Sequence, residues 1–211
     1  MQKLHETCIT TPVAEMQKAF QDMGYLFIRS FFSTELIFKI RKTIISILES
    51  EGWGRWKSDV FVAVEPVNRI NSPAFYKCIG KLMESELLHE IADYPQLGWI
   101  LSAILGEPIY PHPRKMVRIT YPFTMNPKDR TPPHQDIVYV KGEQDTFTVW
   151  IPLGDYPTDQ GGLEVAPTTH KLGLLPTQAN SEGRFGCTAI EEHVKDFTWN
   201  NAHYKPGDLL I

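Results

Sequence analysis

The chain has 211 residues, of which 42% are hydrophobic and 22% charged, and its formal net charge is −4. This length and composition are typical of one folded domain whose core is stable without disulfides. The acidic excess argues against a nucleic-acid partner, and the absence of a run of ~18 apolar residues argues against a membrane partner. With three scattered cysteines and no signal-peptide profile, the chain is expected in the cytoplasm.

The start of the chain predicts a helix followed by a strand. Apolar residues recur at helical spacing from Pro12 to Met23, and Gly24 follows as a stop signal. The next run, GYLFIRSFF, predicts a short strand. Ser33 then has a residue type that caps the N-terminus of a helix.

Two further helical regions follow Ser33. The first has one broad apolar face and is ended by Gly52. Its apolar residues are Leu36, Ile37, Ile40, Ile44, Ile47 and Leu48. The second region runs from about Ala74 to Leu105, is broken near Pro95 and is closed by Gly106.

After Gly106 the pattern changes to short β-rich runs separated by turns. These runs are MVRITY, HQDIVYV, TFTVWIPL, LEVAP and DLLI. Short strands with regular turn punctuation are typical of a sandwich or barrel. We therefore predict one domain over residues 1–211, mainly β with flanking helices. A helical front, residues 1–106, would pack around an antiparallel double-sheet barrel, residues 107–211.

Two potential metal ligands, His134 and Asp136, lie in the predicted strand HQDIVYV. Residues i and i+2 of a strand point to the same face, about 7 Å apart, so the two side chains can converge on one ion. An imidazole and a carboxylate with open positions beside them suit ferrous iron in a 2-His-1-carboxylate site. The H-x-D pattern is short, so a surface histidine beside a solvated aspartate is the alternative on this motif alone.

The segments around this motif resemble the phytanoyl-CoA dioxygenase family of Fe(II)- and 2-oxoglutarate-dependent oxygenases. FQDMGYLFIRSFFSTELIFKIRKTI is similar to the family's opening helix, strand and second helix, and PPHQDIVYV resembles its metal-binding strand. TFTVWIPLGDYPTDQGGLEVAPTTHK and YKPGDLLI resemble later segments, so the resemblance covers nearly the whole chain. It implies a double-stranded β-helix core (jelly-roll, cupin-like), with His134 and Asp136 as catalytic metal ligands.

The resemblance also implies the reaction. Fe(II) would be the cofactor, and 2-oxoglutarate and dioxygen would be co-substrates that yield succinate and carbon dioxide. In the same reaction a small organic or acyl substrate would be hydroxylated at an unactivated C–H bond. Neither the residues nor the resemblance identifies that substrate.

Four residues are candidates for binding the co-substrate. In KMVRITYP, Arg118 and Thr120 share one face, and the guanidinium of Arg118 suits two-pronged binding of a carboxylate; an edge-strand arginine in solvent is the equal alternative. By resemblance, Arg69 lies where the family has another cation. Trp150 matches a tryptophan beside 2-oxoglutarate, although an ordinary core tryptophan is a close alternative.

Three more positions carry expectations. Tyr139 matches an aromatic position at the substrate channel, and Gln135 is a candidate for contacting the substrate or supporting the ligands. His170, in PTTHK, matches a family position that is not a metal ligand, and we expect it to form a hydrogen bond.

The resemblance places a second histidine ligand and a 2-oxoglutarate-binding arginine beyond Ile211, so we expect this chain to be a truncated form of the domain. The alternative function is a non-catalytic or truncated jelly-roll relative that binds a small molecule or a partner.

Overall fold

Helices and small sheets together build the fold, an α/β arrangement, in the computed structural model. The structure describes residues 2–58, 60–64, 72–113, 115–119, 131–140, 143, 145–159, 161–179, 187–189 and 191–211. The chain divides into two compact units, the terminal unit (Met1–Phe32 and Pro122–Ile211) and the middle unit (Ser33–Tyr121). A double-stranded β-helix core and a single domain both stay predictions.

The regular elements have the following bounds in the described residues. The helices are α1 (Val13–Met23), α2 (Thr34–Ser50), α3 (Pro73–Met83), α4 (Glu86–Glu90), α5 (Pro95–Leu105) and α6 (Ile137–Val140). The strands are β1 (Gln2–Lys3), β2 (Glu6–Thr7), β3 (Phe27–Ile28), β4 (Gly54–Lys57), β5 (Val60–Ala63), β6 (Thr177–Ala179), β7 (Cys187–Ala189), β8 (Asn200–Asn201) and β9 (Leu209–Leu210). No helix in these parts of the chain is long and apolar enough to cross a membrane.

The core of the terminal unit surrounds strand β3. This strand pairs in parallel with β2 and antiparallel with β9, and Phe27 lies opposite Leu210. Leu210 also forms an antiparallel bridge to Trp150, which extends the sheet by one position. The buried cluster here contains Leu4, Tyr25, Phe27, Ala202, Tyr204 and Leu210. The strands predicted in GYLFIRSFF and DLLI are thus confirmed, although each is only two residues long.

An ionic network around the buried Asp208 holds β9 against β3. Asp208, in the KPGD turn, accepts hydrogen bonds from the backbone N–H groups of Ser30 (3.1 Å) and Lys205 (2.9 Å) and from Arg29 Nη1 (2.6 Å). Arg29 also donates two hydrogen bonds to Glu6 Oε1. Burial disfavours the guanidinium charge, but the hydrogen bonds to Glu6 and Asp208 outweigh it and raise the pKa of Arg29. Each charge in this network has a bonded partner.

The helix boundaries predicted from capping residues are confirmed. The Ser33 hydroxyl accepts a hydrogen bond from the N–H of Leu36 (3.2 Å) at the start of α2. Gly24 and Gly106 end α1 and α5 in the left-handed conformation, with φ of 80° and 77°. In the middle unit, α2 buries its predicted apolar face through Ile37, Ile40, Ile44 and Leu48.

The β-rich runs of the second half form fewer strands than predicted. HQDIVYV ends in helix α6, and residues 116–119 of MVRITY have no regular structure. TFTVWIPL and LEVAP contribute only isolated bridges, at Trp150 and Val165. A high β-propensity means that a segment fits a pleated, half-buried surface, so tertiary context decides whether a strand forms.

Candidate functional site

The loop before α6 carries the two predicted metal ligands. Residues 131–136 have no regular structure, and the carbonyl of Asp136 accepts hydrogen bonds from the N–H groups of Tyr139 (2.9 Å) and Val140 (3.0 Å). The prediction of one strand through His134 and Asp136 is therefore wrong. The backbone groups are paired within a local helical turn instead of with a neighbouring strand.

The side chains of His134 and Asp136 are nevertheless brought together. His134 Nε2 lies 3.1 Å from Asp136 Oδ1, and the two side chains are 17% and 36% exposed. Two neighbouring ligands at right angles around a first-row metal ion, each about 2.1 Å from it, are about 3.0 Å apart. The observed separation fits two adjacent positions around one ion.

A backbone contact orients the imidazole of His134. Its Nδ1 lies 2.8 Å from the carbonyl oxygen of Pro132. A carbonyl oxygen only accepts, so Nδ1 donates a hydrogen bond to it, and Nε2 is the ring nitrogen that faces Asp136. Nε2 and Asp136 Oδ1 are 3.1 Å apart, close enough for a proton or a metal ion to lie between them.

A second contact orients the carboxylate of Asp136. The hydroxyl of Thr148 donates to Asp136 Oδ2 at 2.6 Å, while Oδ1 faces His134. Sequence reasoning missed Thr148. The available signal was its position two residues before Trp150, because alternate residues of an extended segment share a face.

Gln135 connects the ligand loop to the chain near Leu175. Its Nε2 donates to the carbonyl of Gly173 (3.0 Å), and its Oε1 accepts from the N–H of Leu175 (2.8 Å). Leu175 is buried against Val194 and the partly buried Trp199. Both ends of the amide bind backbone groups, and the predicted role of Gln135 toward the substrate or the metal ligands stays a prediction.

Two predicted aromatic residues have defined surroundings. The ring of Tyr139 meets the imidazole of His134 edge-on, with centroids 5.7 Å apart. Trp150 packs edge-on against Tyr204 at 4.6 Å and belongs to the margin of the buried cluster. Burial raises the pKa of Tyr204, whose hydroxyl donates to the carbonyl of Leu163 at 2.6 Å.

The remaining predicted residues are less well defined. Arg118 is exposed and lies in the middle unit. Residues 116–119 alternate between exposed and half-buried as predicted, although they form no strand. Arg69 and Thr120 lie outside the described residues. Their roles stay predictions.

Other histidines of the terminal unit have different partners. His170 Nε2 donates to the carbonyl of Gln21 at 2.9 Å, which confirms its predicted hydrogen-bonding role. His203 pairs with the exposed carboxylate of Asp155. Within the residues that the structure describes, no three His, Cys, Asp or Glu side chains form a group able to hold a metal ion.

The chain is similar to two proteins that are named as hydroxylases. A 1-deoxypentalenic acid 11-beta-hydroxylase of Streptomyces exfoliatus is 30% identical over 130 residues, which are 58% of this chain and 46% of that protein. The Streptomyces arenae protein of the same name is 22% identical over 170 residues, 77% of this chain and 58% of its own length. The chain thus spans about half the length of these curated relatives.

A family model matches a larger part of the chain than either of these proteins does. The model for phytanoyl-CoA dioxygenase (PhyH) matches residues 20–211, nearly the whole chain. The matched range includes the loop with His134 and Asp136 as well as Thr148 and Gln135. The chain therefore belongs to the phytanoyl-CoA dioxygenase family.

Proposed function

We propose that this chain is an Fe(II)- and 2-oxoglutarate-dependent dioxygenase that hydroxylates an unactivated C–H bond of a small organic or acyl substrate. His134 and Asp136 would be two of the three protein ligands of a 2-His-1-carboxylate site. The family match supports the reaction class, and the names of the two similar hydroxylases support a small-molecule substrate. A jelly-roll around the site belongs to the same proposal.

The observation that carries the proposal is the close approach of two side chains that can both bind a metal ion. His134 Nε2 and Asp136 Oδ1 are 3.1 Å apart, and each side chain is held from behind by a separate hydrogen bond. Such outer partners fix the orientation of metal ligands and strengthen metal binding. A surface histidine beside a solvated aspartate needs neither of these bonds.

The residues around the pair have distinct tasks in this proposal. Bound iron, 2-oxoglutarate and dioxygen supply the oxidising chemistry, and the protein supplies position and a dry surrounding. Pro132 would hold His134 in the tautomer whose Nε2 can bind the metal ion, and the ring of Tyr139 packs edge-on against the imidazole. Arg118, Arg69, Thr120 and Trp150 are the proposed contacts of 2-oxoglutarate.

Metal uptake is the first test. The full chain is titrated with Fe(II) without oxygen, or with Mn²⁺, and is expected to bind about one ion per chain. His134→Ala and Asp136→Ala should each lower the affinity by about 100-fold or more. His203→Ala is the matched control, because it breaks another histidine–aspartate pair of the same unit and should leave affinity unchanged. Equal affinity in all variants would overturn the assignment.

Turnover is the second test. The iron-loaded chain is incubated with 2-oxoglutarate and dioxygen, and succinate is measured. Succinate formation that depends on His134 and Asp136 is the expected result. Iron uptake at these residues without succinate formation would instead favour a non-catalytic relative that binds a small molecule or a partner.

A further inference from the structure

We propose that Thr148 is a positioning residue that makes Asp136 bind the metal ion through one oxygen atom only. The hydroxyl of Thr148 lies 2.6 Å from Oδ2, and Oδ1 lies 3.1 Å from His134 Nε2. The two carboxylate oxygens thus have different tasks. One is bonded to the threonine, and the other is directed toward the metal position. This inference rests on the function proposed above.

The chemical consequence is one more open position around the metal ion. A carboxylate can bind a cation through one oxygen or through both. A hydrogen bond from a neutral hydroxyl to an ionised oxygen is short and strong, so Oδ2 is held away from the ion. Asp136 then occupies one coordination position, and the position that Oδ2 would take is left for a co-substrate, dioxygen or water.

The anchoring of Thr148 explains why it can control the carboxylate. Two residues farther along, Trp150 exchanges two backbone hydrogen bonds with Leu210, at 2.8 and 3.0 Å. Leu210 belongs to the buried cluster of the terminal unit. The β-branched side chain of threonine also has few rotamers available. Thr148 itself lies in a segment without regular structure, so the backbone pairing at Trp150 is what fixes its position.

The exposure of Thr148 allows a test by substitution that leaves the buried core of the unit intact. Thr148 is exposed, so Thr148→Val removes the hydroxyl at nearly constant shape and leaves no buried cavity. Thr148→Ser keeps a donor at the same place. Thr146 is a matched control, because its hydroxyl is exposed too but donates to the carbonyl of Glu143 at 2.7 Å. Thr146→Val therefore removes a similar bond that does not involve a metal ligand.

The measurement is the number of exchangeable waters on bound Mn²⁺, from the relaxation of water protons in solutions of the full chain. With Oδ2 released, Asp136 can bind through both oxygens, and Thr148→Val should lose about one water per ion relative to the wild type. Thr148→Ser and Thr146→Val should keep the wild-type number. The absorption spectrum of bound Co²⁺ should change in Thr148→Val alone.

The outcomes separate this inference from the proposed function. A wild-type chain that binds no Mn²⁺ overturns both of them. Binding that depends on His134 and Asp136, together with the same water number and Co²⁺ spectrum in Thr148→Val as in the wild type, overturns only the role of Thr148. A change that Thr148→Ser does not restore also overturns it, because the hydroxyl is then not the cause.

Discussion

Two acidic side chains of the terminal unit, Asp208 and Asp136, are bonded in opposite ways. Asp208 is buried, and its oxygens accept hydrogen bonds from Arg29 and from two backbone N–H groups. Asp136 is about one-third exposed, and its Oδ1 lies 3.1 Å from His134 Nε2. The first cluster surrounds a carboxylate with charged and backbone donors, whereas the second pairs a carboxylate with an imidazole, and both of these groups can bind a metal ion. The first cluster stabilises the fold, and the second is the candidate for binding a cation.

The largest expected effect comes from breaking the ionic network around Asp208. Asp208→Ala removes the carboxylate that pairs with Arg29 and should lower the free energy of unfolding by about 2–4 kcal/mol, a range reduced because Arg29 is partly exposed. Urea unfolding measures the loss. The exposed carboxylate of Asp155 is the control, and Asp155→Ala should cost less than about 1 kcal/mol. Equal losses would contradict the contrast between the clusters.

The opposite result is expected at the pair formed by His134 and Asp136. Mn²⁺ at about 100 times its dissociation constant should stabilise the wild type by about 2.7 kcal/mol, because the ion binds only the folded chain. His134→Ala should abolish this gain, and its stability without metal should stay within about 1 kcal/mol of the wild type. Thermal unfolding with and without Mn²⁺ measures both. A large loss of stability without metal would make His134 a structural residue.

A smaller effect is expected at Gln135. Gln135→Ala removes both hydrogen bonds to the backbone near Leu175, which should cost about 1–2 kcal/mol and weaken Mn²⁺ binding by about 10-fold. Gln135→Glu keeps the acceptor for Leu175 but loses the donor to Gly173, so an intermediate loss is expected. Calorimetric titration and urea unfolding measure the two quantities. Unchanged metal affinity in both variants would limit Gln135 to a purely structural role.

The smallest effect is a pH dependence at Tyr204. Burial raises the pKa of this phenol above its ordinary value of about 10, so the folded chain favours the neutral form. The resulting stability is fully present below pH ~10 and is lost as the pH rises toward the folded pKa. Tyr204→Phe should cost about 1 kcal/mol at neutral pH, because the carbonyl of Leu163 loses its donor. Above pH ~10 the stability of Tyr204→Phe should fall less steeply with pH than that of the wild type. Equal slopes in the two proteins would contradict this prediction.

The success of the sequence predictions depended on the distance over which each signal acts. Ser33 caps α2 through a contact three residues away, and Gly24 ends α1 by its own backbone conformation. Such local signals are readable from a short window. The conformation of HQDIVYV could not be read from a short window, because β-rich residues form a strand only when a partner strand is in place.

The sequence by itself determined the helical boundaries of the first half, the membership in the family and the identity of the candidate pair His134 and Asp136. Only the tertiary structure decided that this pair lies on a loop and that Pro132, Thr148 and Gln135 hold it. Capping and family motifs are contained in contiguous residues. The orientation of a ligand is different, because Thr148, which bonds to Asp136, is 12 residues away in the chain, and the backbone groups that bind Gln135 are 38 and 40 residues away. Only the folded chain brings such atoms within hydrogen-bonding distance.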